Sequence, residues 1–203
     1  MFASGLTAKT FGLSLSAPEE ATRERSVEKA KAMIDFVTPN PECGIIFGFL
    51  KGPRADDISH AFSQFRASMD TLVPYAAERA VMLVVEATNR YEAALANSLD
   101  DAAALVDGYP AETVKILPDT FHMNIEERSI ESALIRHSGR YVSVHYSDNN
   151  RFFPGFGGLD FASVTACLDA LGFDGRIGLE ANVRDGFESD IRSAVRRLAP
   201  LLE

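Results

Sequence analysis

The sequence predicts an α/β fold, a single domain over residues 1–203 in which strands and helices alternate as a (β/α) barrel of the TIM type. Two observations predict it. Short β-rich apolar runs alternate with amphipathic helical patterns along nearly the whole chain, which means βαβ units and a parallel sheet. Four successive runs also end on a carboxylate or an imidazole, and the strands of a barrel bring their C-terminal ends together on one active face.

The elements follow in order. A first candidate strand lies near Met1–Phe11. Val27, Ala30, Ile34 and Val37 recur at three- and four-residue steps and make one apolar helical stripe. The run Gly44–Leu50 (GIIFGFL) is the next strand. Ile58, Phe62, Phe65, Met69, Leu72 and Val73 stripe the helix after it. Strands are then expected at Val81–Val85 (VMLVV), Val114–Leu117 (VKIL), Tyr141–Val144 (YVSV) and Arg176–Leu179 (RIGL). Helices at Asp100–Val106, Ser129–Ile135 and Phe161–Leu171 separate them, and Ile191, Ala194, Val195 and Leu198 stripe a last helix. No change of composition marks a second domain.

An open doubly wound sheet competes with the barrel for this pattern. Such a sheet usually carries a Gly-rich nucleotide loop after an early strand. Gly155, Gly157 and Gly158 in PGFGG come late, and no apolar strand leads directly into them, so the run reads as a mobile loop. The closed barrel is the better account.

Composition narrows the partners. Formal net charge is −9 and no basic run is present, so nucleic-acid phosphates are not an expected ligand. The charge itself reads as solubility. Cys43 and Cys167 stand far apart, which suggests neither a disulfide framework nor a cysteine zinc site. No apolar stretch approaches the roughly 18 residues of a membrane span, and the start lacks a secretory signal pattern. No membrane partner and a cytoplasmic setting are therefore expected.

Chemistry concentrates at the strand ends. VMLVV ends in Glu86, VKILP in Asp119, YVSV in His145 and RIGL in Glu180, at separations of 33, 26 and 35 residues, each about one βα unit. Taken singly, an Asp or Glu after a strand is more often a helix N-cap or a solvated loop residue, and a lone histidine is more often structural. Four at the same end of successive units weigh against that reading. Three carboxylates crowded together repel one another unless a cation sits among them. Oxygen ligands with one imidazole suit a divalent ion, Mn²⁺ first, with Mg²⁺, Co²⁺ or Zn²⁺ as alternatives.

The flanking residues carry a resemblance. Glu86 opens E-A-T-N-R-Y-E, Asp119 opens D-T-F-H-M-N-I-E-E, His145 opens H-Y-S-D-N-N-R before P-G-F-G-G, and Glu180 closes G-R-I-G-L-E. Over about residues 20–200 the chain resembles the ketose 3-epimerase group of the xylose-isomerase-like sugar isomerases and epimerases. The resemblance implies a (β/α)₈ barrel, one divalent cation and a homodimer or homotetramer. It implies Glu86, Asp119, His145 and Glu180 as metal ligands, and His122, Arg151 and Glu92 as residues of the sugar site. Without it, Arg151 reads as a surface charge, Glu92 as a helix-start residue and His122 as a structural histidine. His60 and His137 have no motif context and read as surface residues.

A (β/α)₈ barrel needs about 250 residues. Aligned by these motifs, residues 1–20 fall near the family's third strand, so about six βα units are expected and the first two are missing. A fragment, a late start and a barrel completed by a partner all remain open. The implied activity is that of an isomerase: epimerisation or isomerisation of a ketose by proton transfer through an enediolate, with Glu86 and Glu180 as the two bases. Other readings are a hydroxypyruvate isomerase, an inosose dehydratase, or a non-catalytic remnant that binds a sugar or a metal. Endonuclease IV assembles several zinc ions with many more histidines than the four present here.

Overall fold

A computed structural model describes residues 1–40 and 43–202. The chain divides into two compact units, Met1–Ile116 and Leu117–Glu203.

In the first unit, strand β1 (Phe2–Ala3) leads into helix α1 (Gly5–Phe11), so the expected strand near the start is confirmed in its first residues only. Helix α2 (Glu20–Val37) buries the predicted stripe of Val27, Ala30, Ile34 and Val37. Strand β2 (Ile45–Phe47) runs into a 3₁₀ turn at Phe49–Lys51, which shortens the predicted strand. Helix α3 (Ile58–Ala77) starts at Asp57, whose side chain accepts the His60 N–H. It buries Phe65, Met69, Leu72 and Val73 but leaves Ile58 and Phe62 partly in solvent. Strand β3 (Leu83–Glu86), helix α4 (Leu99–Leu105, opened by a Ser98–Asp101 capping box) and strand β4 (Val114–Leu117) follow.

The strand order is β1-β2-β3-β4, with parallel registers Phe2↔Ile45 and Ile45↔Leu83. Every residue of β2 and β3 is buried. That is why these strands read as continuous apolar runs rather than as alternating ones.

The second unit holds helix α5 (Thr120–Glu126), helix α6 (Ile130–Arg136), strand β5 (Ser143–Tyr146), helix α7 (Phe161–Ala170), strand β6 (Arg176–Leu179) and helix α8 (Phe187–Leu198). Strands β5 and β6 pair in parallel with Val144↔Ile177 and His145↔Gly178 in register. Two expectations need correction here. Strand β5 begins two residues later than the apolar run YVSV, which puts His145 inside the strand rather than after it. Helix α5 stands where the sequence pattern marks no helix, directly after the Asp119 side chain that caps it.

Candidate metal and sugar site

In the second unit, Asp119 is both a strand-end carboxylate and a helix cap. One oxygen, Oδ1, accepts the backbone N–H groups of Phe121 at 2.9 Å and His122 at 3.3 Å, which opens α5. The bland reading of a lone Asp after a strand therefore describes one half of this side chain. The other oxygen, Oδ2, accepts Arg151 Nη1 at 2.6 Å. Asp119 is fully buried.

His145 lies beside it, because Asp119 and His145 form a parallel bridge and the His145 N–H donates to the Pro118 carbonyl at 2.8 Å. Its register partner is Gly178, where a Cβ would stand 3.0 Å from His145 Cδ2, so the glycine leaves room for the imidazole. The chain continues from β6 with the Glu180 N–H on the Tyr146 carbonyl at 3.3 Å. Three neighbouring chain segments thus deliver three donors. His145 Nδ1 is 2.5 Å from Glu180 Oε2 and 3.8 Å from Asp119 Oδ2.

Arg151 closes the group, with Nη2 3.3 Å from Glu180 Oε1 and its guanidinium 5.0 Å from the centre of the Phe121 ring. Burial pushes the Glu180 carboxyl up, but the hydrogen bond and charge of His145, then Arg151 and His122, outweigh it and hold the group below the ordinary glutamate range. Nearly half of that side chain (46%) meets solvent, which screens these charges. His122 is buried (2% exposed).

The donor set fits a divalent cation. Ligand atoms of Asp119, His145 and Glu180 lie within 4.8 Å of one another, and the mixture of carboxylate oxygen and imidazole nitrogen suits a borderline-to-hard ion.

In the first unit, Glu86 ends β3 with 6% exposure. A side chain at Gly48 would collide with Glu86 Oε2, so that glycine makes space for the carboxylate. Glu92 lies further along the same connection, where its Oε1 accepts Asn89 Nδ2 at 3.2 Å.

The sequence reading missed Lys51, a fully buried lysine whose ammonium donates to the Glu86 carbonyl and, at 2.9 Å, to Thr88 Oγ1. Burial pushes its pKa down to about 8, against the Glu86 and Glu92 charges that raise it. The folded state therefore holds this proton less tightly than the unfolded chain does. The resulting penalty is full below pH 8 and relieved as pH rises towards 10.5, by roughly 3 kcal/mol at most. Chemical denaturation at pH 8, 9 and 10 should show wild-type stability rising relative to a Lys51→Met variant. A flat difference across that range would refute the assignment.

His137 is also corrected. It is buried rather than a surface residue, whereas His60 is exposed as expected.

Residues 3–201 match the family model described as a xylose isomerase-like TIM barrel. The chain is 29% identical over 180 residues to an L-ribulose 3-epimerase of Methylomonas sp. (strain DH-1), a match covering 87% of this chain and 62% of that protein. It is 36% identical over 106 residues to a D-psicose 3-epimerase of Enterocloster bolteae, covering 52% of this chain and 35% of the other. A solved 3-keto-D-glucoside 4-epimerase from E. coli superposes with a TM-score of 0.79 at 25% identity, over 93% of this chain and 74% of that one. The chain spans 62% and 35% of the lengths of the two curated relatives.

Proposed function

Because the chain belongs to the xylose isomerase-like TIM barrel family, we propose that it carries the catalytic part of a metal-dependent ketose epimerase, inverting the carbon next to the sugar's carbonyl. The convergence of Asp119, His145, Glu180 and Arg151 carries this reading. Two relatives named as 3-epimerases support it. They do not favour a hydroxypyruvate isomerase, an inosose dehydratase or a non-catalytic remnant.

Asp119 Oδ2, His145 and Glu180 would hold the cation, with Glu86 as the fourth ligand. The support for Glu86 is its place at the end of β3 and a single family model that runs across both units, which also supports reading them as one barrel domain. Mn²⁺ is the ion we favour, on the mixed oxygen and nitrogen donors. Once bound, the ion would polarise the sugar's carbonyl and withdraw charge from its oxygen.

The protein's own groups do the rest. Glu180 and Glu86 would remove the C3 proton on one face of the sugar and return it on the other. Arg151 and His122 would hold the oxygens that must not move, and Glu92 would bind at the edge of the sugar site. The assembly we favour is a homo-oligomer, consistent with exposed Leu6, Phe11 and Phe36 in the first unit. A cytoplasmic setting fits the two free thiols, Cys43 and Cys167.

The test uses protein stripped with a chelator and reloaded with Mn²⁺, Co²⁺ or Mg²⁺ before incubation with ketopentoses and ketohexoses. Epimerisation should vanish on stripping and return on loading. A 3-ketoglucoside belongs in the same panel, because a 4-epimerase is among the solved relatives and inversion one carbon further along is the second reading. Loaded protein that turns over none of these sugars would overturn the proposal.

A further inference from the structure

The Gly-rich run after β5 surrounds a buried carboxylate. Asp148 is fully buried, and among the described residues its carboxylate is met by backbone N–H groups alone. Its Oδ2 accepts Gly155 N–H and Gly157 N–H, both at 2.8 Å. Its Oδ1 accepts Asn149 N–H at 2.9 Å and Leu159 N–H at 3.1 Å. Next to it, Asn149 Oδ1 accepts Gly158 N–H at 3.0 Å. A side chain at Gly157 would collide with both Asp148 Oδ1 and Asn149 Oδ1, which explains the glycine. Four converging amide dipoles stabilise a negative charge much as an anion-binding nest does.

The same residue closes the turn that carries Arg151. The Asp148 N–H donates to the Phe152 carbonyl and the Asp148 carbonyl accepts the Arg151 N–H, each at 2.9 Å. Between these bonds Arg151 adopts φ +63°, a left-handed conformation that a non-glycine residue keeps only where its surroundings impose it. The Asn182 N–H pins the Arg151 carbonyl at 2.7 Å, and the guanidinium reaches Asp119 and Glu180.

We propose that Asp148 is a positioning residue, whose carboxylate fixes loop 148–159 through four backbone N–H bonds and so presents Arg151 to the sugar's oxygens. The role assigned to Arg151 rests on the epimerase reading above; the clamp itself does not.

Asp148→Asn puts an amide NH₂ where one oxygen accepts two N–H groups, and Gly157→Ala drives a methyl group into the same carboxylate. In either variant, amide hydrogen exchange at Gly155, Gly157 and Leu159 should speed up. KM for the ketose should rise about tenfold or more, kcat should fall less, and Mn²⁺ affinity should stay within about threefold. A faster-exchanging loop with unchanged KM would overturn the proposal, as would amides that stay protected in both variants. Having two variants keeps the test open if one of them does not fold. Wild-type protein that turns over no sugar would defeat the epimerase reading but not the clamp. The rate at which a dicarbonyl reagent modifies Arg151 then decides, since the clamp predicts slow modification in wild type and fast modification in Asp148→Asn.

Discussion

Glu86→Gln and Glu180→Gln should each abolish net epimerisation, with turnover falling roughly a hundred- to ten-thousandfold, the usual worth of a positioned acid or base. Inverting one carbon requires a proton to leave one face of a planar enediolate and to return on the other, which a single carboxylate does not easily do. A glutamine in either place keeps the shape and one oxygen, so metal binding should weaken without being lost. One of the two variants should still exchange the C3 proton of a ketose with deuterated solvent, because the remaining base can remove and return it on its own face. Which one does so depends on the substrate's configuration at C3. Near-normal turnover in a folded, metal-loaded variant would rule out the two-base mechanism for this chain.

Asp119→Ala should be the most damaging single change to the second unit. It removes the acceptor for the Phe121 and His122 N–H groups at the start of α5 and strips Arg151 of its partner at 2.6 Å. Loss of the cap costs about 1 kcal/mol, and loss of the charge-assisted bond to Arg151, which keeps Glu180 as a partner at 3.3 Å, adds roughly 2 kcal/mol. Asp119→Asn separates the contributions, since asparagine caps a helix as well as aspartate does but lacks the charge. Denaturant midpoints with and without Mn²⁺ provide the readout. Asp119→Ala should be destabilised without metal and gain nothing from it, whereas Asp119→Asn should recover the cap's share of the metal-free stability and still lose most of the gain. If metal stabilises Asp119→Ala as strongly as wild type, Asp119 is not a ligand.

The sequence by itself determined what depends on neighbours a few residues apart. Three- and four-residue steps marked the buried stripes of α2 and of the later turns of α3, and solid apolar runs marked β2 and β3 because both faces of those strands are covered. The repeated placement of Asp119, His145 and Glu180 at successive strand ends was legible for the same reason, since a barrel repeats its geometry once per unit. The tertiary structure alone decided what depends on distant partners. Lys51 looks like a loop charge until Glu86 and Thr88, 35 and 37 residues away, supply its acceptors. Asp148 and PGFGG look like a mobile loop until the amides of residues 155, 157 and 159 fold back onto one carboxylate. A charged side chain can be buried only where such partners offset its desolvation, and nothing in the local pattern of a sequence records where the partners will be.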